Sequence, residues 1–227
     1  NLTIKNSDTF GSIYNVKNAG LLFGEIINSS IVNSKFIVSA KGIEISNDKI
    51  ENFGILAGYV ENSSLANNRY DFTVAEVKNS VSSENINIAG LVGVLNYSTI
   101  SGGNNPNYIK INNGSTIEIS NNYNVKQMNV SSLVAYSNNA TIKDVNFTNN
   151  LDFINNGYVT DELNVANTIA MSNSSNINGL VVSGNLSVDN TDDNHVNIAS
   201  IIAHDLKSSK MTKKLASSSV QINATVN

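Results

Sequence analysis

The sequence has no cysteine, one proline (Pro106), one arginine (Arg69) and only two histidines, and charged residues make up just 14% of it. Each shortage removes a class of explanation. Without cysteine there is no disulfide framework and no thiolate metal site, although a stacked solenoid does not need either, so the compartment stays open. An ordinary soluble domain carries about 25% charged residues. A net charge of −4 with a single arginine leaves no basic stripe for a phosphate backbone, which excludes nucleic acid as a partner. The only basic cluster, Lys207, Lys210, Lys213 and Lys214, reads as a solvated edge. No run approaches the roughly 18 apolar residues that a membrane helix requires, so no membrane insertion by this segment is expected. Nor is there a signal-peptide pattern.

Asparagine and serine fill the gap, with 42 Asn and 30 Ser. Low-complexity disorder has a similar look. The 25 Ile and 21 Val, however, recur at fixed places. Ala89-Gly90-Leu91-Val92-Gly93-Val94-Leu95-Asn96 is answered by Ala19-Gly20-Leu21-Leu22-Phe23-Gly24 and by Phe53-Gly54-Ile55-Leu56-Ala57-Gly58. Fainter copies centre on Ala135, Ala170 and Ala203. The small central residue falls at Gly24, Gly58, Gly93, Ala135, Ala170 and Ala203, in steps of 34, 35, 42, 35 and 33 residues. A period of that size signals a stacked repeat. Helical repeats share the period, but β-branched residues favour a pleated sheet, and abundant Asn and Gly favour turns over helices.

Each repeat reads as three strand-like pieces: the glycine-containing run, then two alternating stretches such as Tyr70, Phe72 and Val74. The expectation is an all-β, right-handed parallel β-helix of about six coils of roughly 35 residues, forming one domain over residues 1–227. The long step holds a loop around Gly102 to Asn107. Leu2-Thr3-Ile4-Lys5 reads as the tail of a preceding repeat, and neither end has an evident cap, so the segment is expected to be an excerpt of a longer chain.

Gly90-Leu91-Val92-Gly93 resembles the GLUG motif of large bacterial surface and secreted proteins, some immunoglobulin A proteases among them. The copies at Gly20 and Gly54 match with one residue more, and the resemblance fades after Tyr123. It implies a repetitive β-rich stalk or adhesin-like region at the cell surface or secreted. It implies no catalytic residue in this segment.

The residues themselves offer few sites. Asp189, Asp192 and Asp193 sit in the most acidic stretch, where crowded oxygens suit calcium, against the blander reading of a solvated turn. Tyr59, Tyr97 and Tyr136 fall just after the repeat centres and form a candidate ligand face, or else fill a corner of the coil. His195 and His204 lack a nucleophile elbow. Glu44 and Glu118 occupy similar places two repeats apart and are the best candidates for a glycosidase-like carboxylate pair, though outward charges that discourage edge pairing explain them as well. Asn28, Asn62, Asn96, Asn139 and Asn173 recur in turns within Asn-x-Ser/Thr sequons, read first as structural. The expected role is a non-catalytic stalk or repetitive binding face, without a cofactor. Its partners would be a host or neighbouring-cell protein or glycan, or other copies or domains of the same surface protein. A polysaccharide lyase or hydrolase and a self-assembling filament subunit are the alternatives.

Overall fold

The structure, a computed structural model, describes residues 2–5, 10–13, 16–46, 49–102, 109–111, 116–191, 195–212 and 219–226. Every regular element among them is a β-strand, and every pairing is parallel between successive coils, so the chain forms a β-solenoid. Three of its sheets are six strands deep, which makes about five full steps from the first rung to the last.

Each coil has four faces rather than the three pieces read from the sequence. In the second coil these are Asn52–Gly54, Ala57–Glu61, Ser64–Ala66 and Arg69–Asn79. In the third they begin with Ser83–Ala89, Val92–Asn96 and Thr99–Ser101. The apolar run Ile88 to Leu95 is therefore two strands, broken by a corner at Gly90 and Leu91. The described strands of that coil's fourth face are Ile109–Ile111 and Thr116–Asn121; of the expected loop only Gly102 is described, and the rest lies outside the described residues.

The register stacks the repeat centres. Phe23, Ala57, Val92, Val134, Ile169 and Ile202 pair directly over one another. The small residue that follows each of them, Gly24 through Ala203, thus occupies one column. The register also corrects the alignment of the glycines. Gly20 and Gly54 stand over Ala89, not Gly90. All three copies therefore share one spacing, and Gly90 is a corner residue.

The reason for small residues is the close approach of the first two faces. A Cβ on Gly93 would lie 2.6 Å from Gly58 O and 2.9 Å from Phe53 N. Those are backbone atoms that cannot swing aside.

One contiguous apolar core runs through the coils, with Phe53, Phe72, Phe147, Phe153 and Tyr70 among its largest buried members. Phe36 and Tyr70 are register partners, and their rings stack with centroids 5.6 Å apart and planes 8° from parallel. Burial forces the Tyr70 hydroxyl well above its ordinary pKa, and it accepts a 3.1 Å hydrogen bond from Asn68 Nδ2.

Asparagine earns its abundance as ladders. Along the first face, Asn52 donates to Asn18, Asn87 to Asn52, Asn129 to Asn87, Asn164 to Asn129 and Asn197 to Asn164, at 2.6–2.9 Å. A carboxamide carries both donor and acceptor, so identical side chains at strand spacing satisfy one another. A second ladder closes the fourth face, with opposite polarity. There Asn79 donates to Asn121, Asn121 to Asn155 and Asn155 to Asn190, at 2.6–2.8 Å, and all four are fully buried. Asn79 Oδ1 is buried without a partner, and the residue paired with Asn79 one coil earlier is Ile45, which has no amide to offer. A third ladder runs from Asn173 through Asn138 and Asn96 to the Glu61 carboxylate.

The corner after the second face needs left-handed backbone. Asn28, Asn62, Tyr97, Asn139 and Ser174 take φ between 45° and 52° there. Asparagine tolerates that conformation because its short polar side chain bonds locally. This explains why the recurring asparagine follows the repeat centre by four residues in some coils and by three in others. Asn28, Asn62 and Asn139 occupy the left-handed position; Asn96 and Asn173 sit one residue earlier, in the ladder.

Candidate functional site

The chain's two histidines meet in one groove. Asp161, Glu162, His195, Val196, Asn197 and His204 line an open hollow of about 470 Å³ where the first and second faces of the last two coils converge. The ladder brings them together: Asn164 pairs with Asn197 on the first face, and Met171 with His204 on the second. Glu162 is the hub. Its carboxylate accepts hydrogen bonds from Gln127 Nε2 at 3.1 Å and Asn197 Nδ2 at 3.0 Å, which links three coils. His204 Nδ1 lies 2.6 Å from Glu162 Oε1. That contact is an ion pair when the imidazole is protonated, and among the described residues Nδ1 has no hydrogen-bond partner. Among the described residues, none that lines the groove is a serine, threonine or cysteine.

The fourth face carries a column of carboxylates that the sequence reading missed. Glu76, Glu118 and Asp152 are direct register partners on three successive coils. Burial raises the Glu118 pKa, the charges of Glu76 and Asp152 add to it, and Lys78 partly offsets them. Lys78 Nζ bonds Glu76 Oε1 at 3.2 Å. The pair suggested by the sequence, Glu44 and Glu118, is not in line: Glu44 stands opposite Lys78, in the neighbouring column. The 42-residue step hid this, because only the observed register shows which glutamate of the inserted coil faces which.

Of the calcium candidates only Asp189 is described. Asp189 is an exposed residue paired with Ile154 and Thr225, while Asp192 and Asp193 lie outside the described residues. Among the described residues no group of three or more His, Cys, Asp or Glu is placed to hold a metal ion. The three tyrosines do not form one row. Tyr59 and Tyr136 share a column with Val94 between them, and that column continues to Met171 and His204. Burial raises the Tyr59 pKa; the hydrogen bond from Asn96 Nδ2 lowers it, and Glu61 and Glu25 raise it further. Tyr97 occupies the left-handed corner instead, with 59% of its surface exposed.

Among the described residues no helix is long and apolar enough to cross a membrane. Comparison of the chain with protein-family models, curated proteins and solved structures finds no match in any of the three.

Proposed function

We propose that this chain is a non-catalytic structural and adhesive segment of a cell-surface or secreted protein. It acts as a stiff stalk or as a repetitive face for a host or neighbouring-cell protein or glycan. The observation that carries this reading is the six-membered asparagine ladder from Asn18 to Asn197, which adds a side-chain hydrogen bond to every strand-to-strand step of the first face. A wall bonded at every step resists bending and shear, as a spacer must. The resemblance of Gly90-Leu91-Val92-Gly93 to the GLUG motif supports the surface setting.

The test is a panel of immobilised glycans and host-cell surface proteins, with assays for released reducing or unsaturated sugar ends. Retention without product supports an adhesive face; product formation overturns the non-catalytic reading. One observation favours the polysaccharide-active alternative. Glu76, Glu118 and Asp152 stand on strands about 4.8 Å apart, close to the roughly 5–5.5 Å of a retaining carboxylate pair, and burial raises the Glu118 pKa, the direction a general acid needs. If that alternative holds, Glu118→Gln abolishes sugar release while leaving the fold intact.

A further inference from the structure

Positive charge is scarce in this chain, yet two of its cations are stacked. Lys35 and Arg69 are direct register partners at the start of the first two long strands of the fourth face. Three other described cations meet carboxylates: Lys17 meets Glu51, Lys78 meets Glu76, and Lys126 lies between Glu84 and Asp161. Among the described residues Lys35 makes no ion pair, and Arg69 makes one long contact, Nη2 to Asp71 Oδ2 at 3.4 Å. Like charges directly opposite in a sheet repel and cost stability. The two cations also share a hollow. Asn33, Ser34, Lys35, Asn67 and Arg69 line a groove of about 240 Å³ open to solvent. Asn33 and Asn67 reach it from left-handed corners with φ of 52° and 54°, and Asn67 Nδ2 donates to Asn33 Oδ1 at 2.5 Å. The groove thus combines an ammonium, a planar guanidinium fork and amide groups on two adjacent coils.

We propose that this groove binds an oxyanion, a carboxylate or sulfate group, which Arg69 engages with its fork and Lys35 neutralises as a point charge. The bound anion converts a repulsive step of the ladder into a bridged one, so it ties the first two coils together. The site does not depend on the stalk or adhesin reading, since a small anion suffices to fill it.

The experiment titrates the whole chain with sodium sulfate, with oligogalacturonate and with a neutral oligosaccharide of equal length. Calorimetry and thermal melting are followed for the parent and for Lys35→Gln, Arg69→Gln and Lys126→Gln. Sulfate and oligogalacturonate are expected to bind and raise the melting temperature. Lys35→Gln and Arg69→Gln each weaken binding by about tenfold and melt no lower than the parent in anion-free buffer, because the like-charge pair is gone. Lys126→Gln binds as the parent does. Tighter binding of oligogalacturonate than of sulfate identifies a sugar-borne anion, and sulfate alone identifies a free one; both uphold the site. Equal binding of the neutral oligosaccharide, anion binding unchanged in both groove variants, or no binding of either anion overturns it. A panel blank for both glycans and host-cell proteins beside intact sulfate binding would overturn the adhesive face and leave this groove standing.

Discussion

The second and third coils and the fourth and fifth share one register but not one chemistry. In the earlier pair the corner between the first two faces is Ile55-Leu56 and Gly90-Leu91, and the buried column beyond it holds Val60 and Leu95. In the later pair the corners are Ser132-Leu133 and Asn167-Thr168, and the same column holds Ser137 and Ser172. All of these later polar residues are fully buried. Each finds a partner: Ser132 Oγ donates to Asn167 Oδ1 at 3.1 Å, Thr168 Oγ1 to Ser200 O at 3.0 Å, and the Ser137 and Ser172 hydroxyls pair with Ser175 and Ser209 at 2.8 and 2.7 Å. The small centre changes with them, from Gly58 and Gly93 to Ala135 and Ala170. Backbone register, not interior polarity, is what the coils hold in common. A hydroxyl is admitted wherever the adjoining turn or the next coil supplies its complement.

This contrast can be broken in graded ways. Placing the later chemistry in the earlier coils should do most damage. Leu95→Ser leaves a cavity and a hydroxyl among apolar neighbours, and should lower stability by about 3–5 kcal/mol in chemical denaturation. A milder loss is expected for Gly58→Ala. Its new Cβ would meet the Ala19 amide nitrogen and lie 2.7 Å from both Ala19 O and Asn52 O, which overpacks the corner by about 1–3 kcal/mol. Ala170→Gly, at the equivalent place three coils on, should cost only about 0.5–1 kcal/mol.

Cutting the shared ladder sharpens the comparison from the other side. Asn129→Ala strips partners from both Asn87 and Asn164, and a loss of about 1–3 kcal/mol is expected in the same denaturation assay. One substitution should stabilise. Tyr97 holds a left-handed φ of 45° in the column where Asn28, Asn62 and Asn139 sit, so Tyr97→Asn should raise stability by about 1 kcal/mol. The smallest effect concerns pH. The Glu118 pKa is raised in the folded chain, so its contribution favours folding below the ordinary glutamate pKa and is lost as pH rises through the raised value. The melting-temperature difference between the parent and Glu118→Gln should therefore narrow as pH falls through the region just above that ordinary value. A difference independent of pH would contradict the carboxylate column.

Much of the architecture was legible because a solenoid writes its period into the chain. The β-branched residues marked strands, the spacing of Gly24, Gly58 and Gly93 marked the coil, and the recurring Asn28, Asn62 and Asn139 marked the turns. What stayed hidden depended on where the chain bends. A continuous apolar run such as Ile88 to Leu95 has no marker for a corner in its middle, so four faces read as three, and Gly90 was matched with Gly20 and Gly54 when its true counterparts are Leu21 and Ile55. The sites suffered more. Columns such as Glu76–Glu118–Asp152 and Lys35–Arg69 join residues that are ordinary in sequence and become neighbours only when register is known to the residue. The tyrosines show the reverse: all three follow a repeat centre, but Tyr59 and Tyr136 come one residue after it and Tyr97 four, which puts Tyr97 at the corner and in a different column.

The central claim is the stacking of six small-centred segments in one unbroken wall, and its most direct test is a distance. The chain has no cysteine, so nitroxide labels can be placed cleanly on cysteines introduced at Ser30 and Lys210, the first and last members of the third-face column. Five steps at about 4.8 Å put the two backbones about 24 Å apart. A pulsed-EPR distribution centred near that value, widened only by label reach, is the predicted result. A separation of about 40 Å or more, or a broad distribution without a peak, would contradict it.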